Sequence, residues 1–212
     1  MLKKHTGKTQ VFLGKAARQN DSPTQDDSSI AKATRVFPSA AEAEKAFSFL
    51  RKRLFHIEHW NACSEISSFA LFGHNGNRQQ DKLAAAVGDF IKITLPGSGK
   101  DDWVDIIQIY ETPDEVILTL KPSHDPTDKE NKDSTSHFFT GDSTNNFCLQ
   151  RKDAKINFYV IGLNEKTNTE DTSGILETAR NFATANIGCL LGIQKAQWET
   201  FCKNFLEVRN EK

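Results

Sequence analysis

The chain has 212 residues, enough for one domain with tails or two small domains, and 37% of them are hydrophobic. Its 27 basic and 28 acidic side chains nearly cancel, which favours neither nucleic acid nor an anionic membrane as a partner. No window of the sequence contains the run of about 18 apolar residues that a membrane span needs. The N-terminal residues also lack the apolar stretch of a signal peptide. We therefore expect a soluble, cytoplasmic protein.

Residues 1–33 form the first distinct segment. It opens with cations and no acid, then becomes the polar, acidic and proline-containing run NDSPTQDDSS. Such a composition buries too little apolar area to offset the entropy of ordering the chain. We predict a disordered polar tail over residues 1–33, because its five cations are a weak signal for the alternative, a nucleic-acid-binding arm.

An amphipathic helix is predicted at about residues 40–54. Ser39 and Glu42 have the spacing of a capping box, in which each side chain satisfies a free backbone N–H of the first turn. Ala43, Phe47 and Leu50 then fall on one helical face. The pattern leaves open whether the helix continues through HIEHW.

From residue 66 the apolar residues recur with a period of two, which is typical of strands. The segments that show it are ISSFALF, VGDFIKITL, WVDIIQIYE, EVILTLK, NNFCLQR and KINFYVIGL, with SHFF as a further short strand. The turns between them are short enough for hairpins, so we predict an antiparallel sheet.

The helical period returns after NEKTNTEDTS. One apolar face includes Ile175, Ala179 and Phe182, and a second amphipathic stretch includes Trp198 and Phe201. Either two consecutive helices or one bent helix would give this pattern. The sequence therefore predicts a single α+β domain over residues 34–212, a curved antiparallel sheet of six or seven strands packed against N-terminal and C-terminal helices.

This order of elements, over about residues 35–209, resembles the helix-grip, START-like superfamily. The segments that carry the resemblance are FHIEHWNACS, VGDFIKITLPG and TARNFATANIG. The resemblance requires a further strand in KATRVF. It implies an apolar cavity between the sheet and the C-terminal helix, suited to lipids or other small hydrophobic ligands, and it implies no catalytic residue.

The segment LPGSGKDDW contains Gly99-Lys100, the end of a phosphate-binding loop pattern. That pattern needs a glycine five residues before Gly99, where this chain has Thr94, and a hydroxyl after the lysine, where it has Asp101. The following residues predict a strand instead of the required helix. We interpret the segment as a hairpin turn.

Histidines offer one possible metal-ligand pattern. His56 and His59 are three residues apart, and a third ligand would have to come from His74, His124 or His137. The last two flank a polar loop at residues 123–137, which we expect to be solvated. Surface histidines explain the pattern better, so we predict no metal site and no cofactor.

The four cysteines, Cys63, Cys148, Cys189 and Cys202, are widely spaced among apolar residues. No C-x-x-C motif is present. We expect buried, reduced thiols, because free cysteines are usually buried.

The function favoured by the sequence is non-catalytic binding of a small apolar or amphipathic ligand in a cavity between the sheet and the C-terminal helix. The candidate lining residues are Trp60, Trp103, Tyr110, Phe147, Tyr159 and Phe182. Two alternatives stay open: a protein–protein interaction module with a filled core, and a His-dependent metal enzyme. The oligomeric state is left open as well.

Overall fold

A computed structural model of the chain describes residues 7–20, 28–95, 101–128, 130, 139–166 and 187–207. The helices of this part are α1 (Lys8–Asn20), α2 (Ala40–Phe55), a 3₁₀ helix (Ile57–Ala62) and α3 (Ile187–Phe205). The strands are β1 (Ser28–Val36), β2 (Ser68–Phe72), β3 (Phe90–Thr94), β4 (Asp101–Glu111), β5 (Glu115–Pro122), β6 (Thr144–Lys152) and β7 (Lys155–Leu163). The predicted α+β class and antiparallel sheet are confirmed.

The seven strands form one sheet in the order β1-β7-β6-β5-β4-β3-β2, and every neighbouring pair is antiparallel. Strands β2 to β7 follow one another as a meander. Strand β1 instead pairs along its whole length with β7, the last strand in the described part of the chain. It includes most of the KATRVF segment, so the strand required by the helix-grip resemblance is present.

Helix α2 carries the chain from β1 towards β2, at opposite edges of the sheet, and it begins at the predicted cap. The Ser39 hydroxyl accepts a hydrogen bond from the Glu42 N–H at 3.2 Å. The 3₁₀ helix then continues the path through HIEHW. In the part of the chain that the structure describes, no helix is both long and apolar enough to cross a membrane.

The two faces of the sheet carry different hydrophobic clusters. Side chains alternate between the faces along each strand. The larger cluster joins one face, here called the inner face, to α2, the 3₁₀ helix and α3. The smaller cluster lies on the opposite or outer face, where α1 packs on β6 and β7.

The prediction of a disordered tail over residues 1–33 is wrong for the two stretches that the structure describes there. Residues 8–20 form α1, and β1 begins at Ser28. Phe12, Leu13 and Ala16 pack against the outer face, with Ala16 fully buried. The apolar residues of this helix fall within residues 11–16, between cations, and this stretch is too short for its periodicity to predict a helix. That residues 34–212 form one domain stays a prediction.

The phosphate-loop candidate lies at residues 96–100, outside the described residues. Strand β4 begins directly after it at Asp101, whose carboxylate accepts a hydrogen bond from Lys92 Nζ at 2.8 Å. A phosphate-binding loop leads into a helix whose N-terminus faces the phosphate. The strand at this position therefore supports the interpretation as a turn.

Candidate ligand-binding site

Aromatic rings fill the middle of the space between the inner face and α3. Trp60 of the 3₁₀ helix stacks on Phe147 of β6, with ring centroids 4.7 Å apart, and meets Phe201 of α3 edge-on at 5.6 Å. The aromatic cluster comprises Trp60, Phe69, Phe147, Phe158, Trp198, Phe201 and Phe205. Trp60 and Phe147, both predicted to line a cavity, thus lie in closely packed core, and their contact with a ligand stays a prediction.

Trp103 and Tyr110 of β4 lie on the outer face. Because they are seven residues apart, a regular strand would place them on opposite faces. The register of β4 against β5 shifts between Ile106 and Gln108, and this bulge adds one residue, so that both rings point the same way. Trp103 meets Phe72 edge-on at 4.9 Å, and Tyr110 packs against the outer cluster.

Tyr159 also belongs to the outer face, with its ring 5.2 Å from Lys32 Nζ. Phe182 lies outside the described residues. Within the described part of the chain, Trp60 and Phe147 are therefore the only two of the six candidate lining residues that lie on the inner face, whereas Tyr110 and Tyr159 share the outer cluster.

Polar residues lie side by side at one end of the inner face. Ser29 of β1 pairs with Gly162 of β7, which pairs with Asn145 of β6. The Glu165 carboxylate lies directly over Gly162, where a Cβ would overlap it. Residues 158 and 160 of β7 point into the inner cluster, so alternation places this carboxylate on the inner face. We call Ser29, Asn145 and Glu165 the acceptor cluster.

Within the part of the chain that the structure describes, two oxygen atoms of the acceptor cluster are buried without a hydrogen-bond partner. They are Asn145 Oδ1 and Glu165 Oε1, and both residues are less than a tenth exposed. A buried polar atom without a partner costs about 1–3 kcal/mol, which makes it rare in folded proteins. Sequence reasoning missed both residues, although Asn145 stands where the alternation of Phe147 and Leu149 predicts an inward-facing side chain.

Burial also changes the acid–base chemistry of the cluster. It raises the pKa of Glu165 from its ordinary 4.5 to about 7, and the hydrogen bond with Ser29 offsets only part of this rise. Near neutral pH, Glu165 is therefore present in both protonation states.

The free energy of unfolding is expected to fall by about 2.5 kcal/mol as pH rises from 4.5 to 7 through Glu165 alone. Its folded-state pKa is raised, so the folded protein holds a proton that the unfolded chain releases, and this stabilisation disappears above pH 7. Urea unfolding at pH 5 and at pH 8 measures this change in the free energy of unfolding with pH. Glu165→Gln should remove this component, whereas Glu44→Gln on the exposed side of α2 should keep it. If the stability of Glu165→Gln changed with pH as much as that of the unchanged chain, the pH dependence could not be attributed to Glu165.

The histidines considered as metal ligands do not form a set of three among the described residues. The His56 and His59 rings are in contact, with centroids 3.8 Å apart and planes tilted by 51°, while the His124 ring meets Phe90 at 5.4 Å. His137 lies outside the described residues. Among the residues that the structure does describe, no three His, Cys, Asp or Glu side chains are placed to share a metal ion.

The thiols that the structure describes are free and buried, as predicted. Burial raises the pKa of Cys63 to about 11, that of Cys148 to about 12, and that of Cys202 further still. The nucleophilic form of cysteine is the thiolate. These three residues are therefore poor nucleophiles at neutral pH. The side chain of Cys189 lies outside the described part.

No protein-family model and no curated protein sequence matches this chain. Among solved structures, a hypothetical protein from Helicobacter pylori has a TM-score of 0.51 at 7% identity, over 89% of this chain and 91% of that one. At this identity the likeness shows a shared fold alone.

Two further structures are less similar. The di-domain ARO/CYC BexL from the BE-7585A biosynthetic pathway has a TM-score of 0.42 at 10% identity, over 88% of this chain and 52% of that one. Ginseng major latex-like protein 151 from Panax ginseng has a TM-score of 0.35 at 12% identity, over 73% of this chain and 95% of that one. Neither likeness carries an argument about function.

Proposed function

We propose that this chain binds a small amphipathic molecule at the inner face of the sheet, against α3, without catalysing a reaction. The observation that supports the proposal most directly is the pair of buried, unpartnered oxygens, Asn145 Oδ1 and Glu165 Oε1. A ligand that donates hydrogen bonds to them removes the cost of leaving them unsatisfied.

The apolar part of the ligand has a surface next to these oxygens. Phe147 follows Asn145 by two residues on the same face of β6, a distance of about 7 Å along the strand. Its ring belongs to the aromatic cluster. The site thus offers polar acceptors at one side and aromatic rings at the other, which is the usual composition of a small-molecule site.

The chemistry of the acceptors selects the polar group of the ligand. An amide oxygen only accepts hydrogen bonds, and an ionised carboxylate does the same. A hydroxyl or amine therefore suits the acceptor cluster, whereas an ether or a second carboxylate leaves its oxygens unpaired. The proposed ligand is an apolar molecule carrying a hydroxyl or amino group.

We expect 2-naphthol to bind about tenfold more tightly than 2-methoxynaphthalene, which has the same rings but no donor. Titration followed by naphthalene fluorescence at pH 7 measures both affinities. Asn145→Leu should remove the difference, because it replaces the amide oxygen by an apolar side chain of similar size. The matched control is Asn157→Leu, since Asn157 precedes the inward-facing Phe158 and lies on the outer face. Equal affinities of the two naphthalenes for the unchanged protein would contradict the proposal.

A protein–protein interaction module is the second candidate. The packing of the aromatic cluster favours it, because closely packed rings leave little space for a ligand in the middle of the core. Native mass spectrometry separates the candidates: a retained small adduct supports ligand binding, and a dimer of bare chains supports the interaction module.

A further inference from the structure

A cleft of about 530 Å³ lies on the outer face of the sheet, beside α1. It is separated by the sheet from the acceptor cluster, so it is independent of the proposed inner-face site. Its volume is within the range of small-molecule sites. Residues from α1 and from strands β4 to β7 line it: Phe12, Lys15, Arg18, Gln108, Thr119, Thr144, Asn146, Leu163 and Asn164.

The floor of the cleft is a row of polar side chains across three strands. Gln108 of β4 pairs with Thr119 of β5, which pairs with Asn146 of β6. The Thr119 hydroxyl donates to Asn146 Oδ1 at 3.0 Å, and Asn146 Nδ2 donates to the Ile161 carbonyl at 3.1 Å. Asn146 is fully buried and Thr119 nearly so. The hydrogen bonds fix these side chains, so the floor of the cleft is rigid and polar, next to the apolar outer cluster.

The wall of the cleft is positively charged. Lys15 and Arg18 lie three residues apart on α1, so they occupy neighbouring positions on one side of the helix. The nine lining residues include no carboxylate, and neither cation forms an ion pair with another residue that the structure describes. Among the described residues, the ring close to Lys15 is that of Phe12, 5.8 Å from Nζ. Phe12 and Leu163 add apolar surface to this charged site.

We propose that this cleft binds a small organic anion whose carboxylate or phosphate group contacts Lys15 and Arg18. The arginine guanidinium forms paired hydrogen bonds with either anion. Gln108, the exposed member of the Gln108–Thr119–Asn146 row, binds another polar atom of the ligand, and Phe12 contacts its apolar part. The net charge of the whole chain is −1, so the site depends on this local arrangement and not on general attraction of anions.

The test titrates the full chain, labelled with ¹⁵N, with sodium phosphate and separately with sodium benzoate, at an ionic strength held constant with sodium chloride. Amide shifts are followed by NMR. We expect saturable shifts at Thr119 and Asn146 with at least one of the two anions. Shifts with benzoate alone would identify a carboxylate on an apolar group, and shifts with phosphate alone would identify a phosphate.

The double variant Lys15→Gln, Arg18→Gln should weaken this binding at least tenfold, since it removes both charged donors. The matched control is Lys45→Gln, Lys52→Gln, which removes two exposed cations from α2 and should leave the affinity unchanged. The inference is overturned if neither anion shifts Thr119 and Asn146, or if both double variants bind as the unchanged protein does. All four substituted side chains are exposed, so both variants should fold normally.

Discussion

Replacing Trp60 by alanine is expected to lower the free energy of unfolding by about 3–5 kcal/mol. Its side chain is completely buried, and its ring contacts Phe69, Phe147 and Phe201 from three different elements. The cavity left behind cannot close easily, because the surrounding rings also pack on one another. The Leu54 carbonyl would in addition lose the hydrogen bond from Trp60 Nε1. Urea unfolding followed by far-ultraviolet circular dichroism measures the loss.

Two controls separate packing from other effects. Trp60→Phe keeps a ring in the cluster and should cost about 1–2 kcal/mol, less than the alanine variant. Leu83→Ala removes a large apolar side chain that is 78% exposed and should change stability by no more than about 0.5 kcal/mol. A Trp60→Ala protein as stable as the Leu83→Ala protein would show that the aromatic cluster is not the centre of the core.

Short-range patterns in the sequence were sufficient to predict most of the helices and strands. The Ser39 cap and the spacing of Ala43, Phe47 and Leu50 predicted α2 to within a residue at its end. Period-two alternation predicted strands β2 to β7, because each has one face on a hydrophobic cluster. The turns then required antiparallel neighbours.

The outer face shows why local pattern was not sufficient everywhere. Helix α1 is short, and its position depends on a carboxylate about a hundred residues away, Glu115. The bulge at Ile106 and Gln108 has no signature in the sequence, yet it reverses the expected face of Tyr110 relative to Trp103. Non-local contacts and register shifts of this kind are set by the assembled sheet and are absent from any short window.

The candidate site was predictable only in part. The sequence indicated that the space between the sheet and the C-terminal helix is lined by aromatic residues, and Trp60 and Phe147 lie there. It did not single out Asn145 and Glu165. An asparagine within an apolar strand and a glutamate after one are ordinary residues until the pairing of β1, β6 and β7 places them together.

Replacing Glu115 by alanine is expected to cost about 3–4 kcal/mol and to release α1 from the sheet. The buried Glu115 carboxylate accepts hydrogen bonds from the Lys8 and Thr9 N–H groups, at 3.0 and 2.9 Å. These are free donors of the first helical turn, and a carboxylate at this end also interacts favourably with the helix dipole. Without it, two backbone donors would be left buried and unpaired, so detachment of α1 becomes the less costly outcome. Hydrogen exchange of the α1 amides and urea unfolding measure the two effects.

The matched control is Glu111→Ala, at the other side of the same hairpin. Glu111 forms an exposed ion pair with Arg51 at 2.5 Å, and exposed pairs contribute at most about 1 kcal/mol. We therefore expect protected α1 amides in Glu111→Ala and unprotected ones in Glu115→Ala. Because α1 carries Lys15 and Arg18, the Glu115 variant should also lose anion binding at the outer cleft while keeping 2-naphthol binding at the inner face. Retained protection of α1 in Glu115→Ala would mean that Phe12, Leu13 and Ala16 suffice to hold the helix, and that the buried carboxylate is not its anchor.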